Sequence, residues 1–200
     1  MKKAVVGLLL SVITMLVMGM VMLFSTGAFA RDAHGDPVYF VKRQAVWMAV
    51  GIVGCCVAAC TDYRLWYRFW KPIFIGSAVL LTACYFFPAI NGSHRWIKVG
   101  GFSFQPSELG KLAAITFLAA WFTDHKGKER QFLSGFVFPL VGVGILLGLI
   151  AFEEDLGSTA LIGCASILTM FVAGSNLIYL TLSGVAGVTA IFVAAINMPE

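Results

Sequence analysis

Charged and polar side chains are concentrated between Asn91 and Lys111 of an otherwise apolar sequence. The segment reads NGSHRWIKVGGFSFQPSELGK, and its last residues fall inside a predicted membrane helix. A charge at the centre of such a helix costs roughly 2.5 to 3.5 kcal/mol even on translocon insertion scales. Ionisable groups inside membranes usually face the protein interior and take partners there. This segment is therefore the first candidate for a functional site.

Pro106, Glu108 and Lys111 have the order expected at the start of a helix. Proline suits the first helical position because its missing N–H is not needed there. An acidic residue in the first turn is favoured by the positive end of the helix dipole, and Lys111 follows on the same face. Two interpretations remain. Either the lysine snorkels to the interface and the pair anchors the helix, or the pair faces a polar cavity inside the bundle.

A second acidic group, Glu153-Glu154-Asp155, lies between two predicted helices. Asp155 is placed to cap the helix that begins at Leu156, because an aspartate accepts hydrogen bonds from the first free backbone N–H groups. Capping and solvation alone would account for the cluster. The alternative is that the third carboxylate of the cluster neutralises Lys111 from a neighbouring helix.

Cations at one end of the predicted helices form a candidate anion site. Lys42-Arg43-Gln44 begins the second predicted helix, and Arg95 and Lys98 precede the fourth. The guanidinium of Arg43 matches phosphate oxygens better than a lysine would, because its donors form a planar fork. Anchoring at the membrane interface and clamping of an anionic lipid head group both fit these residues.

The composition excludes an ordinary soluble domain. Hydrophobic residues make up 60% of the 200 positions and charged residues 12%, and the mean hydropathy is +0.89, whereas about a quarter of the residues of a soluble domain are charged. The net charge of +4 is spread over 14 lysines and arginines without a basic run, so no nucleic-acid partner is expected. The five cysteines lack CxxC spacing and nearby histidines, so no metal site is evident. The sequence indicates no cofactor. It leaves open whether the protein uses a divalent cation.

Apolar windows of about 17 to 21 residues recur along the chain, each long enough to cross a ~30 Å hydrocarbon core as a helix. Backbone groups in lipid must satisfy one another, so the sequence predicts an all-α polytopic membrane protein with seven transmembrane helices. A single transmembrane domain over residues 1–200 is expected, with helices at about 5–24, 41–61, 72–88, 106–123, 135–151, 156–174 and 177–196.

The distribution of cations predicts a cytoplasmic N-terminus. Lys2 and Lys3 precede the first apolar run, and this orientation places eight of the 14 lysines and arginines on the cytoplasmic side against six outside. The alternative is a signal peptide that is cleaved after Ala30, which would leave six helices. Its apolar core of about twenty residues exceeds the usual 7 to 15, which favours a retained first helix.

Three ordered motifs carry a resemblance to a known family. They are Arg95-Trp96-Ile97 with Gln105-Pro106-Ser107-Glu108 and Lys111 before and in the fourth helix, Lys42-Arg43-Gln44 at the second helix, and Asp155-Leu156-Gly157-Ser158 at the sixth. These motifs resemble those of the SEDS family of FtsW, RodA and SpoVE, and Asn91-Gly92 is most similar to the FtsW and SpoVE pattern. The resemblance covers about seven of the ten family helices, so we expect the N-terminal portion of a SEDS-type bundle, truncated at its C-terminal side.

The resemblance implies a peptidoglycan glycosyltransferase that polymerises lipid II into glycan strands during cell division. It implies a multi-pass protein of the bacterial cytoplasmic (inner) membrane that acts at the outer face. A sugar hydroxyl would attack the anomeric carbon of the growing strand, and undecaprenyl pyrophosphate would leave. By this resemblance, the substrate or its pyrophosphate is bound by Arg43, Arg95 and Lys98, and a buried polar network consists of Glu108, Lys111 and Asp155.

The resemblance also implies what this chain does not supply. The presumed catalytic aspartate of the family lies in an outer loop after the seventh helix, so no catalytic residue is expected in these 200 residues and the chain alone is expected to be inactive. Expected partners are lipid II, a class B penicillin-binding transpeptidase and other membrane proteins of the division machinery. The alternatives are a lipid II transporter (flippase) and a non-catalytic membrane subunit of that machinery.

Overall fold

The computed structural model describes residues 2–29, 39–87, 95–99, 102–153 and 155–197. These ranges are helical apart from one short hairpin and the connecting turns, so the predicted α-helical class is confirmed. The α-helices are α1 Lys2–Phe29, α2 Tyr39–Cys60, α3 Tyr63–Cys84, α4 Pro106–Asp124, α5 Phe138–Phe152, α6 Leu156–Ala173 and α7 Leu177–Asn197. The strands of the hairpin are β1 Ile97–Val99 and β2 Phe102–Phe104.

Among the described residues, five helical segments are long and apolar enough to cross a membrane. They are Lys3–Thr26, Phe40–Cys60, Leu133–Phe152, Leu156–Ala173 and Leu177–Ile196. The other two long helices, α3 and α4, each contain three charged residues. A polytopic arrangement is therefore supported, whereas the count of seven spans and the cytoplasmic N-terminus stay predictions. The alternative cleavage after Ala30 falls outside the described residues.

α3 begins at Tyr63, although the sequence predicts a helix that begins at Pro72. The stretch YRLWYRFWK before the proline is helical, so Pro72 lies inside the helix and removes one backbone hydrogen bond there. Trp70 and Phe74 flank the proline, and their rings lie 5.6 and 5.2 Å from the ring of Phe117 in α4. Packing on both sides of Pro72 thus holds the two parts of α3 together as one helix.

The chain consists of two compact units, Met1–Asp62 and Tyr63–Glu200. In the first unit α1 contacts α2, and most of their described apolar side chains are exposed, as suits helices that are apolar on all sides and face lipid. In the second unit α4 is central, because it contacts α3, α5 and α6, while α7 packs on α6.

Two apolar clusters follow α4 through the second unit. The first consists of Leu81, Ala113, Ala114, Leu146, Ile150 and Ile162. The second consists of Phe117, Leu118, Phe122, Val143, Met170 and Leu180. Small residues on α4 allow the close approach that helix packing in membranes uses. A Cβ atom added to Gly110, for example, would lie 3.2 Å from Cδ1 of Ile150.

A π-helical turn over Leu133–Val137 precedes α5. The N–H of Phe138 donates to the carbonyl of Leu133, so this turn contains one residue more than an α-helical turn. Gly135 lies in its middle, and a Cβ atom there would be 1.7 Å from the carbonyl oxygen of Glu129. The close approach of the two backbones therefore requires glycine at this position.

Candidate functional site

A two-stranded antiparallel hairpin leads into α4. Its register pairs Ile97 with Phe104, Lys98 with Ser103 and Val99 with Phe102. The all-α prediction did not include it, although a Gly-Gly pair between short alternating segments is a usual hairpin signal. The hairpin connects Arg95 on one side to Gln105 on the other, and Gln105 is extended, with φ −106° and ψ 111°.

Gln105 and Asp155 join the start of α4 to the start of α6. The Gln105 Nε2 atom donates to Oδ2 of Asp155 at 2.9 Å. The other oxygen, Oδ1, accepts from the backbone N–H of Ser158 at 3.1 Å, so the predicted cap of α6 is confirmed. Asp155 is only 6% exposed. Its two hydrogen bonds offset much of the cost of burying a carboxylate.

Glu153 is the least satisfied polar side chain in this region. It directly follows α5 and is 1% exposed, and neither carboxylate oxygen has a hydrogen-bond partner among the described residues. Burial and then the negative charge of Asp155 raise the pKa of Glu153 to about 7, against the opposing positive charge of Arg95. Near neutral pH, Glu153 therefore exchanges between its charged and neutral forms.

Arg95 lies on the other side of this acidic group. It is half-buried, and within the described part of the chain its buried Nε atom has no hydrogen-bond acceptor. Leaving a buried polar group unpaired costs roughly 1–3 kcal/mol, so native proteins keep few of them. Glu153 and Arg95 are thus opposite charges whose hydrogen-bonding capacity is incompletely used, which is the property of a site that takes a polar ligand.

The structure brings two of the predicted site residues, Arg95 and Asp155, to one buried acidic group. Arg95 and Asp155 both act electrostatically on Glu153, which the prediction did not name as a site residue. Lys98 lies in β1, where it pairs with Ser103. Arg43 is an exposed residue of α2, in the first compact unit. A shared anion site of Arg43, Arg95 and Lys98 stays a prediction.

The predicted polar network consists of two separate groups of contacts. Nζ of Lys111 lies 2.7 Å from Oε1 of Glu108, and the two side chains are 30% and 58% exposed. The side-chain contacts of Asp155 are with Gln105 and Ser158. An exposed ion pair on α4 is thus distinct from the buried carboxylates between α5 and α6, and burial of the Glu108–Lys111 pair stays a prediction.

No metal-binding site is evident among the described residues. No cluster of three or more His, Cys, Asp or Glu side chains there is arranged to hold an ion. Glu153 and Asp155 are neighbouring carboxylates, but both oxygens of Asp155 already accept hydrogen bonds. The participation of a divalent cation therefore stays a prediction.

Five described helical segments long and apolar enough to cross a membrane, together with buried polar groups between α5 and α6, indicate a multi-pass membrane protein. The chain belongs to the FtsW/RodA/SpoVE family, because the family model described as "Cell cycle protein" matches residues 6–199. The resemblance to the SEDS family that the sequence motifs carry is thereby confirmed.

Relatives in the family are about a third identical to this chain over the aligned positions. A probable peptidoglycan glycosyltransferase FtsW of Trichlorobacter lovleyi is 36% identical over an alignment of 183 residues that covers 88% of this chain and 48% of that protein. The stage V sporulation protein E of Bacillus subtilis is 32% identical over 206 residues, covering 99% of this chain and 56% of that protein. The chain spans about half the length of the curated relatives it matches.

Solved structures show the same fold. RodA of Thermus thermophilus matches with a TM-score of 0.66 at 22% identity, over 94% of this chain and 58% of that one. A chain from the structure of a peptidoglycan synthase complex that coordinates polymerization and crosslinking matches with a TM-score of 0.63 at 24% identity. That match covers 90% of this chain and 52% of the other.

Proposed function

We propose that the full-length protein is a peptidoglycan glycosyltransferase that polymerises lipid II at the outer face of the bacterial cytoplasmic membrane during cell division. Family membership supports this function, since relatives 32% and 36% identical are named probable peptidoglycan glycosyltransferase FtsW. The structural observation that carries the proposal is that the buried carboxylate of Glu153, after α5, and the Nε atom of Arg95, before α4, have no hydrogen-bond partner among the described residues.

Arg95 is the proposed ligand of the pyrophosphate leaving group. As the bond between the anomeric carbon and undecaprenyl pyrophosphate breaks, negative charge develops on phosphate oxygens, and fixed cationic donors stabilise it. A guanidinium offers a fork of donors that matches two such oxygens, and the buried Nε of Arg95 has no acceptor among the described residues. Arg43 and Lys98 are proposed as further ligands of the same group.

Asp155, Glu108 and Lys111 are proposed to support the site without reacting. Asp155 joins the start of α6 to Gln105, and so positions the segment that runs from Arg95 into α4. The attacking 4-hydroxyl forms the new C–O bond and gives its proton to a base. We propose that this base is the family's aspartate in the outer loop after the seventh helix.

A class B penicillin-binding transpeptidase is the proposed partner, together with other membrane proteins of the division machinery. The fold shared with a chain of a peptidoglycan synthase complex supports such a partnership. A cytoplasmic N-terminus places the Arg95 end of α4 at the outer face, where the lipid II sugars are polymerised. Lipid II and this transpeptidase are thus the proposed substrate and product acceptor.

The test uses the full-length protein with its transpeptidase partner, fluorescent lipid II, and moenomycin to silence other polymerases. We expect glycan ladders, and we expect Arg95→Gln to slow their formation by roughly a hundredfold, as removal of one charge-stabilising donor does. Arg130→Gln, which removes a cation from the opposite end of α4, is the matched control. Transport of lipid II into proteoliposomes without any polymer would overturn the proposal in favour of a transporter.

A further inference from the structure

A groove lies between α3 and α4 at the end of α4 opposite Arg95. It encloses about 310 Å³ and is lined by Tyr63, Arg64, Trp66, Tyr67, Ala119 and Ala120, among others. The two alanines leave room on the α4 side, while the aromatic rings form the α3 side. Pockets of about 300 Å³ and more are the size that holds small ligands.

The inner walls of the groove are effectively apolar. Two threonines of α4 line it, but Thr116 donates its hydroxyl to the carbonyl of Leu112 at 2.8 Å and Thr123 donates to that of Ala119 at 2.7 Å. The Tyr67 hydroxyl donates to Asp124. These polar atoms are engaged within the protein, so the groove presents methyl groups and ring faces, which suit a hydrocarbon chain.

The opening of the groove is cationic. Arg64 lines it, and Arg68 and Lys71 follow on the same face of α3 because they are four and seven residues further along the helix. No acidic residue lies within α3, but Asp62 directly precedes it, two residues before Arg64. The Tyr67–Asp124 contact places the α4–α5 connection at the same end. That connection adds the cations Lys126, Lys128 and Arg130 and the carboxylates Asp124 and Glu129.

We propose that this groove binds one anionic phospholipid of the surrounding bilayer, with an acyl chain between Trp66 and Ala119 and the phosphate group at Arg64 and Arg68. An apolar slot with a cationic opening is complementary to an amphiphile that carries an anionic head. Tryptophan and tyrosine are enriched where membrane proteins meet the head-group region, and basic residues at that level attract anionic lipids. The site is separate from the proposed glycosyltransferase site.

Trp66 provides the reporter for a direct test. The chain is placed in nanodiscs of phosphatidylcholine that contain increasing fractions of phosphatidylglycerol brominated on its acyl chains, and tryptophan fluorescence is recorded. Parallel nanodiscs receive brominated phosphatidylcholine. Because the chain has five tryptophans, Trp66→Phe supplies the background signal. We expect the Trp66 signal to be quenched by the brominated anionic lipid at fractions where the zwitterionic lipid acts only by random contact.

The charge requirement is tested with Arg64→Gln/Arg68→Gln. Each cation near a membrane surface contributes roughly a fivefold preference for anionic lipid, so the double variant is expected to lose most of that preference. Lys2→Gln/Lys3→Gln removes two charges from the start of α1 and should leave it unchanged. Ala119→Leu fills the groove and should lower quenching of Trp66 by the brominated anionic lipid to the level of random contact, while the circular dichroism spectrum stays helical. Equal quenching of Trp66 by both lipids, or an unchanged preference in the Arg64/Arg68 variant, would overturn the proposal.

Discussion

The polar groups at the two ends of α4 differ in whether they are hydrogen-bonded. At its start, the Nε atom of Arg95, which precedes α4, and the carboxylate of Glu153, which follows α5 and interacts with Arg95, are buried without hydrogen-bond partners among the described residues. At the last turn, Nε1 of Trp121 donates to the carbonyl of Ser134 at 2.8 Å, and the Trp121 ring stacks on His125 at 4.1 Å between ring centroids. At the first end, buried polar atoms have no hydrogen-bond partner among the described residues. At the other end, the polar atom of Trp121 is hydrogen-bonded.

This difference separates a site for a ligand from an anchor. Unpaired buried polar groups lower stability, so they are expected where a function needs them. Satisfied aromatic and polar groups at a helix end hold that end at the membrane interface and against its neighbours. The ion pair of Glu108 and Lys111 is intermediate, because it is satisfied but partly exposed. Variants at the two ends should therefore differ in both size and kind of effect.

Gly135→Ala is expected to have the largest effect, at the closely packed end. Its Cβ atom would lie 1.7 Å from a backbone oxygen of Glu129, so the backbone must move. We expect a loss of about 3 kcal/mol or more in the free energy of unfolding, above the usual cost of overpacking. Denaturation in detergent, followed by circular dichroism, measures it.

Gly144→Ala is the matched control for that measurement. Around Gly144, no atom of the described residues comes within 4 Å of an added Cβ atom, and alanine is favoured over glycine in helices by about 1 kcal/mol. We expect unchanged or slightly raised stability. Equal losses in both variants would contradict the close backbone approach at Gly135.

Asp155→Ala is expected to be the most destabilising change at the polar end. It removes the cap of α6 and leaves Gln105 without its acceptor, and each loss costs roughly 1 kcal/mol or more, for a total of about 2 to 3 kcal/mol. Asp155→Asn retains a capping oxygen and should lose under about 1 kcal/mol. Comparable unfolding curves for the two variants would show that the hydrogen bonds of Asp155 to Gln105 and Ser158 do not stabilise the protein.

Glu153 should make the stability of the protein depend on pH. Its pKa lies near 7 in the folded state and at 4.5 ordinarily, so the folded state binds the proton more tightly and stability is lost as pH rises from about 4.5 to about 7. The groups that interact with it are Asp155, Arg95, Cys84 and Tyr85. We expect about 2 kcal/mol less stability at about pH 8 than at about pH 5.

Glu153→Gln is the comparison for the pH effect. The amide does not titrate, so the difference between the two pH values should shrink strongly in this variant. Melting temperatures in the same detergent, measured for both proteins, test the prediction. An identical pH dependence in the variant would assign the effect to another group.

Lys111→Gln is expected to have the smallest effect on stability. Ion pairs spaced three or four residues apart on a helix contribute roughly 0.2–0.5 kcal/mol when they are exposed. Exchange of the two charges, Glu108→Lys with Lys111→Glu, should restore most of that loss. A loss above about 2 kcal/mol in Lys111→Gln would instead show a pair buried from solvent, as the polar-network prediction requires.

Local features of the site followed from the sequence, and features set by tertiary packing did not. The cap formed by Asp155 depends on neighbours in sequence, so its pattern predicts it. The residues that interact with the buried Glu153 include Cys84 of α3, Tyr85 and Arg95, which are distant in sequence. Nothing in three consecutive acidic residues indicates which one becomes buried. The hairpin did have a local signal, the Gly-Gly pair, which was outweighed by the membrane-helix pattern around it.

The start of α3 shows the same limit in the fold. Pro72 is a usual first residue of a helix, and the cations before it suggest a loop. The structure continues the helix through it because Trp70 and Phe74 both pack on Phe117. Membrane helices in general were predictable because hydropathy is a local property. Their junctions were not, because contacts between distant residues decide them.

The π-helical turn over Leu133–Val137 changes the rotational phase of the chain before α5. Phe132 before the turn and Phe136 within it contact Tyr179 of α7, with ring centroids 5.1 and 5.4 Å apart. Directly after it, Phe138 contacts Trp121 of α4 at 5.8 Å. The additional residue of the wide turn displaces the side chains that follow it around the helix axis. A single segment thereby presents one aromatic face to α7 and another to α4, which an uninterrupted helix would do only with a different spacing of its aromatic residues.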